Sequence, residues 1–210
     1  MNITTNNFLS APLKSVVDRR GVQRLILSRQ SIHNCFDDIL VNSLRANLID
    51  ADSNSEIRVV VIASEGKSFS AGADLNWMKR MAEASYDDNL ADATQLADML
   101  YVLNKLSKPV IAEVQGIAVG GGVGLIAASD IAIASDQAVF SFSEVRLGLT
   151  PATISPYVIA AIGQRAAKRW ILTGESFGTE EATVAEIKIN DSKAEFILKR
   201  NDNPSIFIGQ

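Results

Sequence analysis

The spacing of hydrophobic positions changes several times along the chain, and each change marks an element. Residues 15–18 and 23–27 bracket Arg19, Arg20 and Gly21, the pattern of two short strands about a polar turn. Asp37 then precedes Ile39, Leu40, Leu44 and Leu48, an apolar stripe of 3.6-residue period that predicts an amphipathic helix. A β-branched run at 59–62 predicts a buried strand. From Leu90, the positions Ala93, Leu96, Ala97, Leu100, Leu103 and Leu106 keep helical spacing until Lys108-Pro109 ends the helix, and residues 110–114 supply another strand. Residues 123–128 read as a short helix and 131–134 as a third buried strand. This β, α, β, α, β order favours right-handed crossovers and a mostly parallel sheet. Residues 155–162 and 164–172 read as two helices separated by Gly163 as a cap. A short helical signal covers 179–186, and no sustained period follows it.

Composition keeps the chain in the globular class: 210 residues, 47% hydrophobic and 21% charged, enough for one domain with its own core. A net charge of -4 gives no general attraction to nucleic acid or an anionic membrane surface, so an anionic ligand must be held locally. Cys35 is the only cysteine, which excludes an internal disulfide, and with His33 it falls short of the ligand count a zinc site needs. The first twenty residues carry no basic start followed by an apolar segment, and no stretch reaches bilayer-spanning length. The expectation is a cytoplasmic protein without metal, nucleic-acid or membrane partners.

Two loops carry candidate chemistry. Phe69-Ser70-Ala71-Gly72-Ala73-Asp74 follows the strand at 59–62 and precedes a helical stretch from Leu75. Gly120-Gly121-Gly122 opens the helix at 123. Small residues let a ligand approach the backbone, and N–H groups at a helix start are unpaired. Each loop alone also fits an ordinary strand-loop-helix turn. Together they supply what a pair of converging N–H donors requires. Gly122-Val123-Gly124-Leu125-Ile126-Ala127, with Glu144 twenty residues on, also fits a dinucleotide-binding pattern. Against that reading, the strand at 110–114 ends well before Gly122, whereas a dinucleotide turn follows its strand tightly.

Taken jointly, the segments resemble the crotonase family of enoyl-CoA hydratases and isomerases over about residues 15–177. LSRQSIHNCFD at 27–37 is similar to that family's LNRPxxHNAF segment, FSAGADL to its first oxyanion loop and GGGVGLIAASDIAIAS to its second. SEVRLGLTPATISPYVIAAIG at 143–163 most resembles the bacterial branch similar to 3-methylglutaconyl-CoA hydratase. The resemblance implies an α/β spiral of ββα units with mostly parallel sheets. It makes residues 1–177 an acyl-CoA-binding core and 178–210 a divergent or truncated tail. It implies the N–H groups of Ala73 and Gly121 as an oxyanion hole for a thioester carbonyl, with Glu144 as general acid/base. It places acyl-CoA contacts on Ile32, His33, Cys35, Ala71, Gly72, Ala73, Asp74, Leu75, Gly120 and Gly121, with coenzyme A entering as part of the substrate and no separate cofactor. The implied activity is hydration of a 2-enoyl-CoA such as methylglutaconyl-CoA. Double-bond isomerisation by Glu144 alone, or a non-catalytic homologue, are the alternatives.

Departures from the family pattern sharpen these expectations. Gly124 stands where family hydratases commonly carry a first glutamate, leaving Glu144 as the expected carboxylate; its bland alternative is a loop residue paired with Arg146. Gln30 replaces a proline and Cys35 an alanine. Asp74, Asp130 and Glu113 read as structural, Asp74 as a helix cap. His33 reads as loop packing near coenzyme A, and Trp77 and Met78 as core or acyl-pocket wall. The match fades after residue 177, where family chains continue into helices that complete the pocket and build a homotrimer or hexamer. A shortened tail would disfavour that assembly.

Overall fold

The computed structural model describes residues 11–182 in full and the backbone of residues 186–188 and 194–198. The expected hairpin pairs β1 (Leu13–Val17) antiparallel with β2 (Val22–Leu27). Asp18 shapes its turn by accepting from the N–H groups of Arg20 at 2.8 Å and Val22 at 3.1 Å, the local bonding that suits Asp to turns. The helix α1 (Asp38–Ser53) starts where the Asp37 carboxylate accepts from the Leu40 N–H at 2.9 Å. It buries Leu40, Val41, Leu44, Leu48 and Ala51. Ile39, expected on the same stripe, is 60% exposed, because one residue of helix turns the side chain by about 100° away from Leu40.

The chain then runs through β3 (Val59–Ser64), β4 (Ser68–Ser70), α2 (Leu75–Glu83), α3 (Tyr86–Asn104), β5 (Val110–Val114), β6 (Ile117–Val119), α4 (Gly121–Ala128), β7 (Ile131–Ser135) and β8 (Val139–Ser141). A 3-10 turn at Glu144–Leu147 leads to α5 (Ser155–Ile162), α6 (Gln164–Thr173), β9 (Ser176–Gly178), α7 (Thr179–Ala182), β10 (Glu186–Lys188) and β11 (Ala194–Leu198). Gly163 caps α5 and opens α6, as its position between two apolar-periodic segments predicts. The expected helix over 179–186 ends at Ala182, and Glu186 opens a strand instead. Residues 1–10, 183–185 and the rest of the tail expectation lie outside the described residues.

Two sheets organise these elements. The larger has the order β1-β2-β3-β5-β7-β11-β10, with β2, β3, β5 and β7 parallel, and the smaller has the order β4-β6-β8-β9, with β4, β6 and β8 parallel. The unit of one strand in the larger sheet, one in the smaller and then helix repeats: β3-β4-α2, β5-β6-α4, and β7-β8 before the turn and α5. That is the expected α/β spiral of ββα units. The smaller sheet is the addition to what the hydrophobic pattern foretold, since its strands are three residues long and too short to display a period.

Between the larger sheet and the helices lies one core that contains Leu25, Leu27, Ile62, Ala112, Leu40, Leu44, Leu48, Met99, Leu100 and Leu103, all buried. Each large aliphatic side chain contributes about 1.5–3 kcal/mol by leaving water, which holds α1 and α3 onto the sheet. The smaller sheet is fastened by aromatics: Trp170 stacks on Phe177 at 3.9 Å between ring centroids, and Phe177 on Phe140 at 5.5 Å and Phe142 at 6.0 Å. Phe140 and Phe142 flank the end of β8, so this stack anchors the backbone that leads into Glu144. Among the described residues no helix is long and apolar enough to cross a membrane.

Candidate active site

Because β4, β6 and β8 are parallel, with one register shift between Ser68 and Ser70 in β4, their C-terminal ends emerge at one edge of the smaller sheet. The segments that follow them are Ala71 to Asp74, Gly120 to Gly122, and Ser143-Glu144. Topology therefore gathers three loops that lie far apart in sequence. They surround a cavity of about 310 Å³, whose wall includes Phe36, Trp77, Met78, Leu96 and Ile154.

The first loop is held by the segment before α1. Ala71 N–H donates to the His33 carbonyl at 2.9 Å, Phe36 N–H to the Gly72 carbonyl at 2.7 Å and Asp74 N–H to the Phe36 carbonyl at 2.7 Å, forming a parallel bridge between Phe36 and Ala73. In that pattern the groups flanking Ala73 are engaged and its own N–H turns away from Phe36. Ala73 borders the cavity. Gly72 has φ +89°, and a Cβ there would stand 3.2 Å from the Val119 carbonyl oxygen, so glycine lets this loop lie against the end of β6.

Gly121 is the first residue of α4, where a helical N–H has no acceptor within the helix. It also borders the cavity. Gly120 has φ 50° and ψ -114°, and a Cβ on it would lie 2.7 Å from Glu144 Oε1. The Glu144 carboxylate thus rests against the bare backbone of the second loop. Its Oε2 is buried with no hydrogen-bond partner, and burial pushes its carboxyl above the ordinary glutamate range, only partly offset by its own backbone N–H. The pairing with Arg146 does not form: Arg146 donates to the Gly174 carbonyl at 2.7 Å.

The other carboxylates have structural partners. Asp130 accepts from the Val110 N–H at 2.9 Å, Glu113 pairs with Arg24, and Asp74 caps α2 by accepting from the Asn76 N–H at 2.8 Å. His33 is exposed, with Nδ1 2.9 Å from Ser68 Oγ. Ile32 is exposed beside it, and Leu75 is exposed at the mouth of the cavity. Cys35 is half-buried, its thiol pushed up by burial and by Asp74, against a smaller lowering from Arg29. Trp77 is buried, and its indole N–H donates to Asp92 at 3.0 Å. The structure thus brings Ala71, Gly72, Ala73, Leu75, Gly120, Gly121 and Glu144 to one cavity. Asp74 caps α2 beside it, and His33 is tied to the first loop through its carbonyl, with Ile32 and Cys35 next to it in the chain and off the cavity wall.

Two facts lay outside the reach of sequence. The Cβ of a residue at position 124 would stand 2.3 Å from Ile154 Cγ2, so Ile154 fills the space beside Gly124. Arg29, unremarkable in a loop, donates to the Cys35 carbonyl at 2.6 Å and reaches Asp37 at 2.9 Å and Asp74 at 3.0 Å. The dinucleotide pattern fails for a different reason than strand spacing. β6 ends at Val119, close to Gly122, but Gly122 packs on the Ser70 carbonyl and Gly124 on Ile154, both inside the protein and closed to a ligand.

The family described as enoyl-CoA hydratase/isomerase matches residues 18–190. The chain belongs to that family. A solved structure from Legionella pneumophila, described as an enoyl-CoA hydratase/isomerase (crotonase), superposes with a TM-score of 0.80 at 47% identity, covering 82% of this chain and 66% of that one. A Thermus thermophilus relative with an enoyl-CoA hydratase description is 32% identical over 166 residues, 79% of this chain and 66% of the relative. An Arthrobacter protein named 4-chlorobenzoyl coenzyme A dehalogenase-1 is 31% identical over 171 residues, 80% of this chain and 62% of its own length. The chain thus spans just under two thirds of these proteins. Relatives at similar identity carry such different names that the reaction must be read from the side chains at the loop ends.

Proposed function

We propose that this chain hydrates a 2-enoyl-CoA thioester. The observation that carries the reading is the buried, unpartnered Oε2 of Glu144 beside the bare backbone of Gly120. In this mechanism the thioester oxygen accepts from the N–H groups of Ala73 and Gly121. Glu144, as carboxylate, takes a proton from water while the water oxygen bonds to C3 and the double-bond electrons move to the thioester oxygen. The enolate-like oxyanion is held by the two donors until Glu144 returns the proton to C2. An oxyanion donor of this kind supplies roughly 2.7–4 kcal/mol of barrier lowering, and a positioned acid/base a further ~10²–10⁴-fold in rate. Ile32, His33, Cys35, Ala71, Gly72, Asp74, Leu75 and Gly120 form the coenzyme A side of the site in this reading. The acyl-CoA-binding core is residues 1–177, the tail is residues 178–210, and the family-like homotrimer or hexamer is tested by size-exclusion mass.

A second reading, double-bond isomerisation, is favoured by Ile154. It fills the space beside Gly124 and leaves Glu144 the one carboxylate bordering the cavity among the described residues. One carboxylate suffices to carry a proton between C4 and C2.

Purified protein is incubated with crotonyl-CoA, a 3-enoyl-CoA and methylglutaconyl-CoA while the conjugated enoyl-thioester absorbance is followed. Loss of absorbance with crotonyl-CoA or methylglutaconyl-CoA supports hydration, gain with the 3-enoyl-CoA supports isomerisation, and no change with any of them removes both. Glu144→Gln is expected to lower turnover by about 10²–10⁴-fold; a fully active variant removes Glu144 from the mechanism.

A further inference from the structure

Arg29 sits where three separate segments meet. Its Nη1 donates to the Cys35 carbonyl, and its Nη2 lies 2.9 Å from Asp37 Oδ2 and 3.0 Å from Asp74 Oδ2. The three side chains are largely withdrawn from water, at 19%, 15% and 13% exposure, so the charge-assisted bond to Asp74 and the ion pair with Asp37 are stronger than surface pairs. Each aspartate divides its labour. Asp37 caps α1 through one oxygen and Asp74 caps α2 through one oxygen, while each gives the other oxygen to Arg29. A single guanidinium therefore joins the starts of two helices to the strand-like segment at Cys35 and Phe36. Asp74 directly follows Ala73, and Phe36 is the residue bridged to Ala73.

We infer that Arg29 is the positioning residue of the first loop: it fixes the direction in which the Ala73 N–H faces the cavity. The inference rests on the oxyanion role proposed for Ala73. Without the guanidinium, Asp37 and Asp74 face each other with no cation between them. Their repulsion separates the starts of α1 and α2 and draws the Ala73 N–H off the thioester oxygen. Arginine suits the place because its planar fork donates to the Cys35 carbonyl and to Asp74 in fixed directions while its charge lies against Asp37, whereas a lysine ammonium supplies a point charge and fewer fixed directions.

The test compares wild type, Arg29→Lys and Arg29→Met in three measurements: thermal melting, steady-state kinetics with the best enoyl-CoA substrate, and the near-ultraviolet enolate absorbance of bound acetoacetyl-CoA. A misplacement on the order of 1 Å costs about 10²-fold in rate. The expectation is therefore a fall in kcat of about 10–100-fold for Arg29→Met, a smaller fall for Arg29→Lys, KM within about threefold of wild type, and an enolate band reduced in the same order. Arg29→Lys keeps a cation between the aspartates and decides the matter if Arg29→Met does not fold. Folded variants with wild-type kcat and enolate absorbance overturn the assignment, as does a loss confined to KM, which would make Arg29 a binding contact. A wild-type protein that neither turns over an enoyl-CoA nor raises the enolate band overturns the oxyanion reading itself, and this inference with it.

Discussion

Gly120→Ala separates the two demands placed on the second loop. The first is conformational: φ 50° with ψ -114° is a region in which a side chain is strained, and such strain costs of order 1–3 kcal/mol. The second is steric and bears on the site. The new methyl would stand 2.7 Å from Glu144 Oε1, and ordinary contact begins at 3.4 Å, so the carboxylate must retreat by about 0.7 Å. With roughly 10²-fold in rate at stake per 1 Å of misplacement, kcat should fall about 10–100-fold. For a chain of this size, 1–3 kcal/mol of strain lowers the melting midpoint by about 2–4 °C per kcal/mol. Gly163→Ala is the control, because Gly163 also has positive φ but a Cβ there meets nothing within 4 Å. It should lose stability without losing turnover. The assay pairs thermal melting with enoyl-CoA turnover normalised to folded protein. If Gly120→Ala keeps kcat within twofold while Gly163→Ala melts early, the contact between Glu144 and the loop backbone is not what positions the carboxylate, and the mechanism built on that contact fails.

Further outcomes follow from the same packing. Gly124→Ala gains up to about 1 kcal/mol of helix propensity but collides with Ile154, and overpacking costs about 1–3 kcal/mol; net destabilisation is expected in urea titrations, with Ile154→Val in the same chain recovering part of it. Glu144 titrates above the ordinary glutamate value of about 4.3 because burial disfavours its charged form. The acidic limb of the kcat/KM profile should therefore lie above that value. The sign for stability is opposite to that of a salt-bridged acid. The contribution is fully present below the ordinary value and is lost as pH rises through the shifted one, so Glu144→Gln should gain stability relative to wild type over that rise, read from denaturant midpoints at a series of pH values. Trp77→Phe removes the indole bond to Asp92; it should cost about 1 kcal/mol and change the ratio of turnover between short and long acyl chains, since Trp77 walls the cavity. An unchanged chain-length profile would remove Trp77 from the acyl side.

What was legible in the sequence divides by the range of the interaction that fixes it. The hairpin, α1, α3 and the strands at β3, β5 and β7 follow from periods several residues long, and Asp37 and Asp74 declare themselves as helix starts by local bonding alone. The two small-residue loops were visible because a bare backbone requires glycine and alanine wherever it is used. The smaller sheet was not visible, since Ser68–Ser70, Ile117–Val119 and Val139–Ser141 become strands only by pairing with one another across intervals of some 20–50 residues. Yet it is this sheet that brings the loops together. Ile154 and Arg29 were hidden for the same reason: Ile154 looks like any apolar residue entering a helix, and Arg29 like a solvated loop cation, until the fold sets one against Gly124 and the other between two aspartates. Glutamate 144 shows the limit from the other side. Its type and spacing suggested a role, but a solvated carboxylate and an ion pair with Arg146 fitted the same residues. Only burial of an oxygen that nothing in the described structure satisfies makes the chemical reading the stronger one, because a buried polar atom left unpaired costs free energy and persists where a substrate or a proton can meet it.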